Sequence, residues 1–108
     1  MNDIEIKKII KDLIQSDIKG DFTISNLHGV DLKKCLVEPY LEICEDSFHE
    51  GQTIELYVVL KEHPESDDGY QIAYDPIEQM FGLTIRGRGA RRVFLGFDGS
   101  FLESLKGM

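Results

Sequence analysis

The chain has 108 residues, a formal net charge of −8, a pI near 4.7 and 42% hydrophobic residues. This length fits one globular domain, residues 1–108, and is too short for a second. The negative charge argues against a nucleic-acid or anionic membrane surface, because both need a basic footprint. No window reaches the roughly 20 apolar residues of a membrane span, and Asp3 and Glu5 stand where a signal peptide would be basic, so we expect a cytosolic protein.

The acidic residues are concentrated in the middle of the chain. Residues 31–80 carry thirteen acids and three lysines, whereas residues 81–108 carry two acids, four arginines and one lysine. The ordinary interpretation is a solvated face with a complementary basic end. The sharper interpretation is a docking surface for a basic partner.

The N-terminal segment, residues 2–18, has the apolar periodicity of an amphipathic helix. The residues that carry this pattern are Ile6, Ile9, Ile10, Leu13 and Ile14. Asn2 with Glu5 resembles a capping pair, and Gly20 is a plausible stop. We expect this helix to cover one face of a sheet.

Residues 21–48 give weaker signals. Phe22 and Ile24 alternate with polar residues and suggest a first strand. Pro39 interrupts the apolar residues 32–44, which favours two short extended pieces around it, at a sheet edge or a bend. A helix over residues 31–35 is the competing prediction.

Residues 53–60 read as the central strand, because apolar residues occupy both of its faces. The polar residues 61–69, with Pro64 and the pair Asp68-Gly69, predict a reversal. Three further strands follow at residues 70–74, 80–86 and 92–97, separated by turn sequences. Ser100 and Glu103 form a capping box that opens a short C-terminal helix.

These elements predict an α+β fold: an N-terminal amphipathic helix packed on a mainly antiparallel meander of five or six strands, with a short C-terminal helix. The sequence shows no internal repeat and no low-complexity segment.

No motif in the chain predicts catalysis, a metal or a cofactor, so we expect a binding protein that is not an enzyme. Cys35, Cys44 and the three histidines match no common zinc spacing, and two buried, reduced thiols are the expected state. The acidic loop of residues 62–68 lacks the ligand spacing of an EF-hand.

The segment of residues 82–92 contains the one basic cluster, formed by Arg86, Arg88, Arg91 and Arg92 around two glycines. Arginine forks and backbone donors of a glycine-rich turn bind phosphate, so this hairpin is a candidate anion site. The alternative is a hairpin whose arginines balance the acidic half of the molecule.

Several short segments carry a family resemblance: ELYVVL at 55–60, DGY at 68–70, FGL at 81–83, LGF at 95–97 and GSFL at 99–102. Over residues 55–108 the chain resembles small bacterial immunity proteins of polymorphic or contact-dependent toxin systems. The resemblance implies a stoichiometric inhibitor whose partner is a toxin domain. A basic nuclease toxin would suit the acidic charge, because carboxylates can occupy a phosphate-binding surface.

On this hypothesis the docking carboxylates are those of the polar connections on either side of the central strand. They are Glu45, Asp46, Glu50, Glu62, Glu65, Asp67 and Asp68.

Two other functions stay open. One is a homodimer that assembles through a sheet edge or face. The other is a small-ligand binder that uses the arginine hairpin.

Overall fold

The computed structural model describes all 108 residues and contains three helices and five strands. In chain order the elements are α1 Asp3–Ile18, α2 Leu32–Cys35, β1 Leu36–Asp46, β2 Thr53–Lys61, β3 Tyr70–Asp75, β4 Met80–Arg86, β5 Arg92–Gly99 and α3 Phe101–Gly107. The predicted α+β fold, with a helix at each end of an antiparallel meander, is confirmed. None of the three helices has the length and apolar content of a membrane-spanning segment.

The five strands form a closed barrel in the order β1-β2-β3-β4-β5. Each strand runs antiparallel to the next, and the barrel closes where Glu45 and Asp46 of β1 pair in parallel with Val93 and Phe94 of β5. This closure was not predicted, because the sequence suggested an open meander. The rest of β1 pairs with β2 alone.

The strands separate two apolar clusters. The larger cluster lies between the outer face of the sheet and the helices, and it includes Ile10, Ile14, Tyr57, Ile72 and Phe101. Because the barrel is closed, the opposite face of the same strands points inward. The smaller cluster, Cys44, Leu56, Ala73 and Phe94, therefore fills the barrel interior. This explains why β2, the predicted central strand, is apolar on both faces.

Helix α1 begins and ends close to the predicted positions. The Asn2 side chain accepts a hydrogen bond from the Glu5 amide at 2.9 Å, and Lys19 takes a left-handed conformation before Gly20. Its buried stripe is Ile10, Ile14 and Ile18, with Ile6 half-buried. Ile9 and Leu13, predicted on the packed face, are exposed.

Residues 21–31 form a loop, so the predicted first strand at Phe22 and Ile24 is wrong. Polar side chains satisfy the backbone locally: Asp21 accepts from the Thr23 amide, and Asn26 accepts from the amides of His28 and Val30. Such bonds compete with strand pairing.

The competing prediction of a helix before Leu36 is confirmed, since α2 spans Leu32–Cys35 with Asp31 as its N-cap.

Pro39 lies inside one continuous strand, β1, and does not divide two separate pieces as predicted. The register between β1 and β2 shifts between Leu36 and Tyr40, so the strand absorbs the proline in a bulge. Proline is tolerated there because β1 has no strand on its other side at this position. The prediction of a sheet edge is therefore confirmed.

Candidate protein-binding surface

The turn between β1 and β2 is shaped by Asp46. Its carboxylate accepts hydrogen bonds from the Phe48 amide at 2.9 Å and from His49 Nδ1 at 2.8 Å. These two bonds lower the pKa of Asp46. Asp46 is therefore engaged within the protein, and of the predicted docking carboxylates in this turn, Glu45 and Glu50 are the exposed ones without an ion pair.

The carboxylates of this turn share one open depression on the surface. Glu45, Asp46 and Glu50 line it together with Thr53, and Arg91 contributes the single positive charge. The depression has an excess of negative charge, which suits a basic group.

The loop between β2 and β3 contains the other four predicted carboxylates. Two of them, Glu62 and Asp67, contact other residues of the protein. Burial alone would raise the pKa of Glu62, but hydrogen bonds from the Tyr70 amide and from His28 outweigh burial and lower it. Asp67 lies 3.4 Å from Lys61 and 3.9 Å from Arg86. Glu65 and Asp68, the remaining two, are exposed and form no ion pair.

The four arginines predicted as an anion site do not share one exposed surface. Arg92 is 2% exposed, and its guanidinium donates hydrogen bonds to the carbonyls of Asp67 and Gly69 and to the Thr84 hydroxyl. Arg86 faces Asp67. Of the four, Arg88 and Arg91 are exposed without an ion pair. Arg92 is unavailable to an external anion.

The outer face of β1 and β2 carries exposed apolar side chains that the sequence hypothesis did not include. Leu41 is 50% exposed and Ile43 is 44% exposed. Ile43 pairs directly with Glu55 on β2, and Glu45 pairs with Thr53, so two carboxylates stand on the same face as the two apolar residues. We call Leu41, Ile43, Glu45 and Glu55 the β1–β2 face.

A polar layer crosses one end of the barrel interior, with contributions from all five strands. Its members are Glu42, Lys61, Gln71, Thr84 and Arg92. The pairs Lys61–Gln71 and Gln71–Thr84 are in register, and Arg92 Nε donates to Thr84 Oγ1 at 3.0 Å. Gln71 is 1% exposed and its amide has no protein partner, and Glu42 Oε1 is likewise buried and unpartnered.

Both cysteines are buried and unpaired by a disulfide, as predicted. They belong to different apolar clusters, Cys35 under the helices and Cys44 inside the barrel. Burial raises the pKa of both thiols, that of Cys44 to about 11, so neither is an activated nucleophile. No three side chains of His, Cys, Asp or Glu are grouped as metal ligands.

The sequence hypothesis missed Leu41, Ile43 and Glu55. Alternation along β1 indicated that Leu41 and Ile43 share a face, which was the available signal. It did not indicate that this face is solvent-exposed, because Tyr40, Glu42 and Cys44 give the opposite face a mixed character.

Comparisons of the chain with known protein families, with curated proteins and with solved structures found no match. The hairpin of β1 and β2 presents exposed carboxylates together with exposed apolar side chains.

Proposed function

We propose that the protein is a small acidic binding module that acts as an immunity protein, inhibiting a cognate basic toxin by binding it stoichiometrically. It acts by covering a surface of the toxin and not by catalysis. One observation carries the proposal: three exposed acids without ion pairs lie on the hairpin formed by β1 and β2. They are Glu45, Glu50 and Glu55.

Exposed carboxylates that form no ion pair within the protein are free to interact with the cations of a binding partner. They attract a basic protein over a distance of about 8 Å at physiological salt and accelerate its association. A toxin that binds nucleic acid needs a basic surface for the phosphates. An acidic module that covers this surface excludes the nucleic acid, and the family resemblance over residues 55–108 supports the same function.

The test is capture of partners by the tagged protein from lysate of its source cells, at low and at moderate salt. The expected result is one basic polypeptide in a one-to-one ratio, identified by mass spectrometry. The purified polypeptide should then lose its toxic activity in proportion to added protein, with an end point at equal molar amounts. Residual toxic activity at a molar excess of the protein would contradict the proposal.

A homodimer is the second candidate, because one observation favours it. Between Leu36 and Cys44, β1 pairs with β2 alone and leaves its other edge without a strand. Such an edge can pair with the same edge of a second copy. Sedimentation velocity of the purified protein tests this function, and a monomer at micromolar concentration would exclude it.

A further inference from the structure

We infer that the basic partner docks on the β1–β2 face, with Leu41 and Ile43 as its apolar contact and Glu45 and Glu55 as the flanking charges. This inference rests on the proposed function and names the surface that performs it. It adds Leu41, Ile43 and Glu55 to the predicted docking residues and leaves Glu65 and Asp68 of the β2–β3 loop outside the contact.

Two exposed apolar residues lie next to each other on the β1–β2 face. Leu41 and Ile43 are 50% and 44% exposed, and they alternate on the outer face of one strand. Of the other large exposed apolar residues, Met1, Leu27, Phe48 and Ile77 lie at the terminus or singly in turns, Tyr40 and Leu95 lie on strands, and Ile4, Ile9 and Leu13 lie on α1 among its charged residues. Adjacent exposed apolar residues within regular structure are typical of a binding surface, whereas scattered ones are ordinary.

Two carboxylates lie beside this apolar pair. Glu55 is the direct cross-strand neighbour of Ile43, which places their Cβ atoms about 5 Å apart. Glu45 follows Ile43 on the same face, and neither glutamate has an ion pair. The nearby cation is Arg91, which lines the same depression as Glu45. An apolar pair beside two free carboxylates is complementary to a basic surface with an apolar anchor.

The backbone of the β1–β2 face is held in place by regular structure. The β1–β2 face lies on two paired strands, and the hydrogen bonds of Asp46 hold the turn that joins them. Binding therefore costs little free energy for ordering the backbone of this face. Glu65 and Asp68 lie instead in the turn residues between β2 and β3, outside any strand.

The charge also decides between a basic partner and a second copy of the chain. A two-fold dimer built on this face would bring the four Glu45 and Glu55 carboxylates of the two copies into one contact. Like charges at such a contact oppose association. A basic partner removes this repulsion.

The experiment uses the purified basic polypeptide obtained by capture, and it compares three variants of the full chain by calorimetric titration. The first carries Leu41→Thr and Ile43→Thr, which retain strand propensity and remove apolar contact. The second carries Glu55→Lys. The third is the control: it carries Glu65→Lys in the β2–β3 loop, which reverses one charge as Glu55→Lys does. Thermal unfolding verifies that each variant folds.

The threonine variant should bind at least about tenfold more weakly at both low and moderate salt, because truncating a central apolar contact removes affinity that salt does not screen. The Glu55→Lys variant should lose most affinity at low salt. The control should retain binding within about threefold at moderate salt.

Two results would overturn the inference and leave the proposed function standing. One is normal binding and inhibition by the threonine variant together with loss of binding by the loop control, which would place the contact on the β2–β3 loop. The other is unchanged affinity in all three variants. Failure of the wild-type protein to capture any basic polypeptide would instead overturn the proposed function, and the inference with it.

Discussion

Arg92 Nη1 donates a hydrogen bond of 2.5 Å to the backbone carbonyl of Asp67. Its Nη2 atom also donates to the carbonyl of Gly69 at 2.6 Å. The first residue of β5 therefore holds the C-terminal part of the loop that joins β2 to β3. Arg92 is a buried cation whose donors are satisfied mainly by carbonyl groups, and no carboxylate lies within ion-pair distance.

Replacing Arg92 should destabilise the whole protein. Arg92→Met leaves the carbonyls of Asp67 and Gly69 without donors, and we expect a loss of about 3 kcal/mol in the free energy of unfolding. Urea unfolding measures this loss. The control is Arg91→Met, an exposed neighbour, which should change stability by no more than about 0.5 kcal/mol. Equal effects of the two substitutions would show that the buried hydrogen bonds contribute nothing.

The local features of this fold could be predicted from the sequence, because their signals are local. The Asn2 cap of α1 and the Ser100 cap of α3 accept hydrogen bonds from the amides of Glu5 and Glu103, as the capping patterns indicated. The hairpin reversals followed from turn residues. Closure of the barrel could not be predicted, because the parallel pairing of Glu45 with Val93 joins residues distant in the chain and has no local signature.

The candidate site was predictable only in part, for a related reason. Glu62 and Glu65 look alike in sequence, yet one accepts hydrogen bonds from Tyr70 and His28 while the other faces solvent. Which acids are free depends on the contacts that the fold makes. The same applies to Arg92, whose burial separates it from the exposed Arg91.

Gly82 is a position where a side chain cannot be accommodated. A Cβ atom there would collide with the carbonyl oxygen of Gly96 and lie 2.9 Å from the ring of Phe94. We therefore expect Gly82→Ala to cost about 2 to 4 kcal/mol of stability in urea unfolding. Gly89→Ala is the control, since its nearest neighbour is a Glu45 carboxylate oxygen at 3.7 Å. An equal loss of stability in both variants would mean that β5 moves freely where its register with β4 shifts, next to Gly82.

The thiol of Cys44 should be unreactive in the folded protein. With a pKa raised by burial to about 11, about one thiol in a thousand is ionised at pH 8, compared with about one in ten at the ordinary value of 9.0. In a Cys35→Ser variant, Ellman's reagent should therefore react with Cys44 at least ~100-fold more slowly than in urea. Fast labelling of the native variant would show that the barrel opens readily at this strand.

Ionisation of Glu42 should lower the stability of the protein as the pH rises, whereas ionisation of a paired surface acid raises stability. Its pKa is raised above the ordinary value of 4.5, first by burial, while the nearby Arg92 opposes the shift. The folded protein therefore holds this proton more tightly than the unfolded chain does. The resulting stabilisation is complete below about pH 4.5 and is lost as the pH rises through the folded pKa.

A Glu42→Gln variant removes the cost of the buried charge at neutral pH. We expect its melting temperature to exceed that of the wild-type protein by a few degrees at pH 7, and the difference to shrink toward zero near pH 4. Thermal unfolding at the two pH values measures this, with Glu50→Gln as the control for an exposed acid without an ion pair. A variant that is less stable at pH 7 would show that attraction to Arg92 outweighs burial, and that the ionised carboxylate stabilises the barrel.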